Sequence, residues 1–198
     1  MKHWTDEYLV PMNACGTAIV KAKQYDDPQT AWDNWDNGFE LLLTLRRCGI
    51  DVRPKFILCA YEIVERLLPL FEKKYPYDDR PRRAIEAARR CAEEDTEENR
   101  KIAAAAARAA RAARATYAAD NAAYATVDAA ADAAYAGYAD VYTAAIYAGY
   151  AAGYAANAVA YAAADTGADA DAKVAAASER CAHADIVRKY FPTSPFVK

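Results

Sequence analysis

Side chains that usually carry catalysis are scarce. The 198 residues include two histidines, His3 and His183, and two serines, Ser178 and Ser194. A Ser–His–Asp triad would need one of these late serines in a structured site, and nothing in the spacing supports it. There is no HExxH, no Walker A loop and no GxGxxG. Ligand clusters for zinc are missing. A carboxylate-bridged metal site on a helical bundle needs Glu-x-x-His pairs, whereas Glu179 and His183 stand four apart. The expectation is a protein that binds rather than catalyses, with no cofactor and no metal.

Other absences narrow the class further. Lys+Arg is 25 against Asp+Glu 28, a formal net charge of −3. No global basic field exists to attract nucleic acid, so direct nucleic-acid binding is not expected. The five cysteines (Cys15, Cys48, Cys59, Cys91 and Cys181) are odd in number and form no CxxC. They read as reduced, mostly buried thiols of a cytoplasmic protein. Met1 to Tyr8 is polar and charged, unlike a signal peptide. The long apolar region from about Ala103 to Ala164 is alanine-dominated and broken by Arg and Asp, so no membrane span is expected.

What is abundant is alanine, followed by tyrosine, with 15 copies. Alanine is the best helix former but buries little area. A buried aromatic removes roughly 150–250 Å² from water, so tyrosine supplies burial that alanine cannot. The expected fold is all-α, a bundle of antiparallel helices with an Ala/Tyr-rich core. The first fifty residues hold all three tryptophans, Trp4, Trp32 and Trp35. They read as a short-helix segment over 1–50, ahead of a helical domain over 51–198.

Punctuation marks the helices. Thr5 is a candidate cap for a first short helix, and a second is predicted over Thr17–Tyr25. Asp27-Pro28 reads as a cap followed by proline at the first helical position. Asn37-Gly38 interrupts before the Phe39–Leu45 run, which Cys48-Gly49 ends. The next helix is predicted over Arg53–Lys74, kinked at Pro69. Asp79 can cap a helix running to Glu93, and Asp95 with Glu98 looks like a capping box for another. From Glu97 to Ala164 one helix would be roughly 100 Å long, so breaks are expected, one at Asp120-Asn121 and one near Thr143–Tyr147, where the phase of the tyrosines shifts. Asp165-Thr166-Gly167 ends that run, and a last helix covers Asp169–Tyr190.

Three features are candidate recognition elements. The corner Tyr75–Arg90 carries Tyr77, Asp79, Arg80, Arg82 and Arg83. It is either a capping corner locked by Asp–Arg pairs or an exposed recognition element, since Arg forks suit carboxylates and phosphates. Arg108, Arg111 and Arg114 form a ridge at i, i+3, i+6. It is either a wet face, paired with aspartates of a neighbouring helix, or a grip for an anionic ligand. Asp120, Asp128, Asp132 and Asp140 read as a solvated face. Tyr135, Tyr138, Tyr142, Tyr147, Tyr150 and Tyr154 are either core with hydroxyls at the rim or a partner surface, because tyrosine is enriched at binding hot spots. The same face could be a homodimer seam.

The run Leu67-Leu68-Pro69-Leu70-Phe71-Glu72, then Tyr75-Pro76, Asp79-Arg80-Pro81-Arg82 and Ala84-Ile85-Glu86-Ala87, resembles the signature of the Imm-5-like immunity proteins. The Ala-rich helices that follow are similar too, with tyrosines where the family pattern carries histidines. Asp26–Asp33 and Ala184–Pro192 resemble phage and prophage proteins of gut bacteria. The resemblance implies an inhibitor encoded by a phage or mobile element. It would neutralise a toxin or a bacterial defence effector, such as a CRISPR nuclease, by direct protein binding. The residues alone also allow a second reading, a binder that sequesters an anionic, nucleotide-like ligand, with tyrosines stacking on bases and arginines holding phosphates.

Overall fold

The computed structural model describes residues 3–165 and 169–197, without the side chains of 141, 142, 169 and 170. Eleven α-helices and one 3-10 helix lie within the described residues, and no strand. The short helices α1 (Trp4–Tyr8), α2 (Gly16–Ala22) and α3 (Pro28–Asp33) lead into α4 (Gly38–Arg47), α5 (Arg53–Glu65), α6 (Leu68–Lys74) and α7 (Arg80–Glu93). Next come α8 (Glu97–Ala112), the 3-10 turn η1 (Ala113–Tyr117), α9 (Asn121–Tyr138), α10 (Val141–Ala164) and α11 (Asp169–Tyr190).

The hairpin of α9 and α10 is the centre. Helices α5, α7 and α8 pack on α9, and α4, α5 and α11 pack on α10. One hydrophobic cluster joins Leu41, Leu42 and Leu45 of α4 to Phe56, Ile57 and Ile63 of α5 and to the alanines of α9 and α10. A smaller cluster gathers Phe71, Ala113, Tyr117, Ala123 and Val127. The Ala/Tyr-rich core is therefore one part of a core whose other part is Leu, Phe and Trp.

Local chemistry explains most boundaries. Asp27 accepts from the Thr30 amide at 2.8 Å, and Asp120 and Asp140 cap α9 and α10 in the same way. Gly49 follows the end of α4 at φ 66°, the left-handed conformation that closes a helix and that glycine adopts without a Cβ penalty. Gly38 sits where α4 meets α11, and a Cβ there would come within 2.6 Å of the His183 backbone.

Several expectations are corrected. His3 caps α1, and Thr5 is buried in its first turn. The second helix is shorter, ending at Ala22. The predicted Arg53–Lys74 helix is two helices, because Pro69 at the start of α6 has no amide to donate to the preceding turn. Asp79 makes no side-chain cap, and its neighbour Asp78 accepts from the Arg80 amide instead. Thr96, not an Asp95–Glu98 box, caps α8, since Asp95 is held by Arg100. The Asp120 break is present, but the second break lies at Ala139-Asp140, a few residues before the tyrosine phase shift. Helix α10 ends at Ala164, while Thr166 and Gly167 lie outside the described residues. Cys59 and Cys91 are buried, Cys48 is half-buried, and Cys15 and Cys181 are exposed.

Candidate functional site

The densest polar chemistry sits between α8, α9 and α10. Helix α9 is buried on nearly all sides by alanine, so Asp128 and Asp132, four residues apart, have no route to solvent and are each 1% exposed. The reading of these two as a solvated face is wrong. Asp120 is half-buried and committed to capping, and Asp140 is exposed. The only signal in the sequence was indirect: two acids one helical turn apart within a run of alanines too small to leave them a wet face.

Arginines from the preceding elements meet these acids. Arg111 of α8 donates to Asp132 at 3.0 Å and lies over the Tyr135 ring, 4.9 Å from its centroid. Arg114 of η1 lies over Tyr124 at 4.7 Å and hydrogen-bonds its hydroxyl. Its Nε is 3.0 Å from Asp128, close enough for charge attraction but not aligned as a hydrogen bond. Both Asp128 oxygens are buried without a hydrogen-bond partner. Arg108 is exposed and has no ion-pair partner among the described residues.

Burial dominates the electrostatics. It pushes the Asp132 carboxyl up to about 7 against the pull of Arg111. Asp128 is raised by the same desolvation, opposed by Arg114 and Arg111. The half-buried Tyr154 hydroxyl is raised by burial and by the two aspartates. Carboxylates thus lie beneath, with guanidinium groups and tyrosine rings forming the rim.

That rim continues along α10. Tyr135 stacks on Tyr147 with centroids 5.2 Å apart, and Tyr150 meets Tyr147 edge-on at 6.5 Å. Tyr138 and Tyr150 are exposed. A shallow groove runs between Tyr138, Tyr147, Arg100 and Lys101. Tyr142 belongs to α10, but its side chain lies outside the described residues.

The Tyr75–Arg90 corner starts at the other end of α9 and runs back along α7, whose Ala88 packs on Gly137. Tyr75 donates to Asp120 at the start of α9, whereas Tyr138 closes that helix. Eighteen residues of helix separate them, about 27 Å at 1.5 Å per residue. Within the corner, Arg80 forks onto Asp78 at 2.8 and 2.6 Å, and Tyr117 donates to the same carboxylate. Arg80 and Tyr117 hold Asp78 down to about 2 against its desolvation. Arg82 forks onto Glu72 at 2.6 and 2.7 Å. Tyr77, Asp79 and Arg83 remain exposed, with Arg83 4.0 Å from Asp79. The structure therefore places the start of the corner far from Tyr138, while the arginine ridge lies between them: Arg114 shares η1 with Tyr117, and Arg80 and Arg83 line a groove with Ala105 and Ala109, beside Arg108.

No group of three or more His, Cys, Asp or Glu among the described residues could hold a metal ion. No helix among them is long and apolar enough to cross a membrane.

A family model described as "Imm-5 like putative immunity protein" matches residues 52–185, about two thirds of the chain. No curated protein and no solved structure matches it. The chain belongs to the Imm-5-like immunity protein family.

Proposed function

We propose that this chain is an immunity-type inhibitor, carried by a phage or other mobile element, that neutralises a toxin or bacterial defence effector by direct protein binding. Family membership over about two thirds of the chain carries the reading. It also favours a binding role over a catalytic one. The contact surface is the rim of α8–α10, with Tyr138, Tyr147 and Tyr150 as anchors and Arg108 as a charged contact. Tyrosine presents a large rigid face with a polar tip, which suits it to that role. Arg111 and Arg114 stand on the same rim, but each is already paired with a buried carboxylate, Asp132 and Asp128. For that reason the geometry gives the anionic-ligand reading less support.

The test is co-expression with a panel of bacterial toxins and defence effectors, a CRISPR nuclease among them, scored for restored growth or lost effector activity. A responding effector should form a complex of fixed stoichiometry with the purified chain, and Tyr138→Ala with Tyr150→Ala should weaken it by at least about ten-fold. Protection without a complex, or a complex untouched by the double variant, would overturn the mechanism or the surface respectively. Light scattering on the chain alone distinguishes the rim as a homodimer seam.

A further inference from the structure

A cavity of about 290 Å³ opens among helices α1–α4 and the C-terminal residues Ser194 and Phe196. It is walled by Trp4, Trp32, Trp35, Phe39 and Phe196, with Glu40 beside them. Every lining residue falls within 4–47 or at 194 and 196, so the cavity lies wholly outside the segment that matches the family.

The three indole N–H groups are already used. Trp4 donates to the Tyr25 carbonyl at 2.8 Å, Trp32 to the Phe191 carbonyl at 2.9 Å and Trp35 to Glu40 Oε2 at 2.6 Å. The walls therefore offer ring carbon and π-surface rather than donors. Glu40 is fixed by Trp35, while its other carboxylate oxygen has no hydrogen bond within the described residues. Arg47, two turns further along α4, also borders the cavity, but it is exposed whereas Glu40 is half-buried. The carboxylate is the more desolvated charge, and an ion pair is worth more there. A cation already rests on one of these indoles, since Lys21 Nζ is 4.7 Å from the Trp35 ring centroid.

Aromatic walls with one fixed carboxylate are the chemistry that selects organic ammonium ions. The volume sits at the small end of ligand pockets, room for a single ring with a short chain. We propose that this cavity binds a small organic ammonium ion with an apolar body, its charged end at Glu40 and its body between the tryptophans. The site is independent of the inhibitor reading.

The molecule carries its own reporter. All three tryptophans of the chain line the cavity, so intrinsic fluorescence excited near the red edge of tryptophan absorption reads this site alone. The full chain is titrated with phenethylamine, 2-phenylethanol and 3-phenylpropionate. Phenethylamine should give a saturable change at about ten-fold lower concentration than the neutral alcohol, and Glu40→Gln should erase that preference while leaving alcohol binding. A measurement on the unaltered chain guards against misfolding of the variant. Cys15 lines the cavity and is exposed, and Cys181 is exposed but does not line it. Phenethylamine should slow alkylation of Cys15 and not of Cys181. No saturable change with any probe, or tightest binding of the anion, overturns the proposal. So does equal alkylation of Cys15 with and without the amine.

Discussion

Around α4 and α5 the buried side chains are Leu41, Leu42, Leu45, Phe56, Ile57, Ile63 and Val64. Along α9 and α10 they are nearly all alanine, from Ala123 to Ala136 and from Ala144 to Ala158. Large side chains hold helices apart and interlock, and beside them an aromatic-lined cavity remains. Alanines let backbones approach, so that a Cβ added at Gly137 would lie 3.1 Å from the Ala88 Cα. The first region is sensitive to losing volume and the second to gaining it.

The two regions also treat a buried acid differently. Glu179 of α11 is desolvated like Asp132, yet His183 at 3.1 Å and the Arg66 fork at 2.7 and 3.1 Å bring it down to about 2. Asp132 has one arginine hydrogen bond, and burial wins. Glu179 has more partners and is also the less deeply buried, 8% exposed against 1% for Asp132, and both differences act in the same direction.

The largest break in the comparison should come from Phe56→Ala, which empties the large-side-chain core and is expected to cost about 3–5 kcal/mol in urea denaturation. Ala133→Leu tests the opposite sensitivity. It should cost about 1–3 kcal/mol by overpacking, although the same change on an exposed helical surface is close to neutral. An unchanged midpoint would mean the alanine region is looser than its geometry says. Arg111→Ala leaves Asp132 without its hydrogen-bonded partner and should cost about 1–2 kcal/mol at pH 8, since the arginine is partly exposed and screened. The loss should shrink at pH 5, where Asp132 is protonated.

Titration sharpens the contrast between the two acids. Asp132 keeps its proton up to about pH 7 when folded, but only to about pH 4 when unfolded. Stability should therefore fall as pH rises through that window and level off above it. Asp132→Asn removes this slope, so the melting temperature of the variant should gain on the parent from pH 5 to pH 8. Glu179 acts with the opposite sign: its contribution is present above its ordinary value of 4.5 and is lost as pH falls toward about 2. The smallest effect is expected at Tyr150→Ala, within about 0.5 kcal/mol of the parent in thermal unfolding. A large loss there would make that tyrosine part of the core and remove it from the proposed surface.

Helix content and most boundaries were legible because they follow from local chemistry. Asp27-Pro28, Cys48-Gly49 and Asp120-Asn121 act through their own backbone within a few residues. Where two neighbouring residues could both serve, as with Asp95 and Thr96, a distant partner takes part in the choice. Asp95 is also 2.5 Å from Arg53, which caps the end of α9 through the Ala139 carbonyl at 2.6 Å. The arginine ridge and the aspartates were visible as spacings. Their meeting across two helices was left open by the sequence, as was their burial.

Composition and spacing by themselves determined an all-helical chain without the usual catalytic motifs, and the Leu67–Ala87 signature pointed to its family. Tertiary structure alone decided that Asp128 and Asp132 lie inside, that Tyr75 and Tyr138 stand at opposite ends of α9, and that three tryptophans enclose one cavity. Capping and helix propensity act over one or two turns, whereas burial, ion pairing and cavities depend on which faces of distant segments come together.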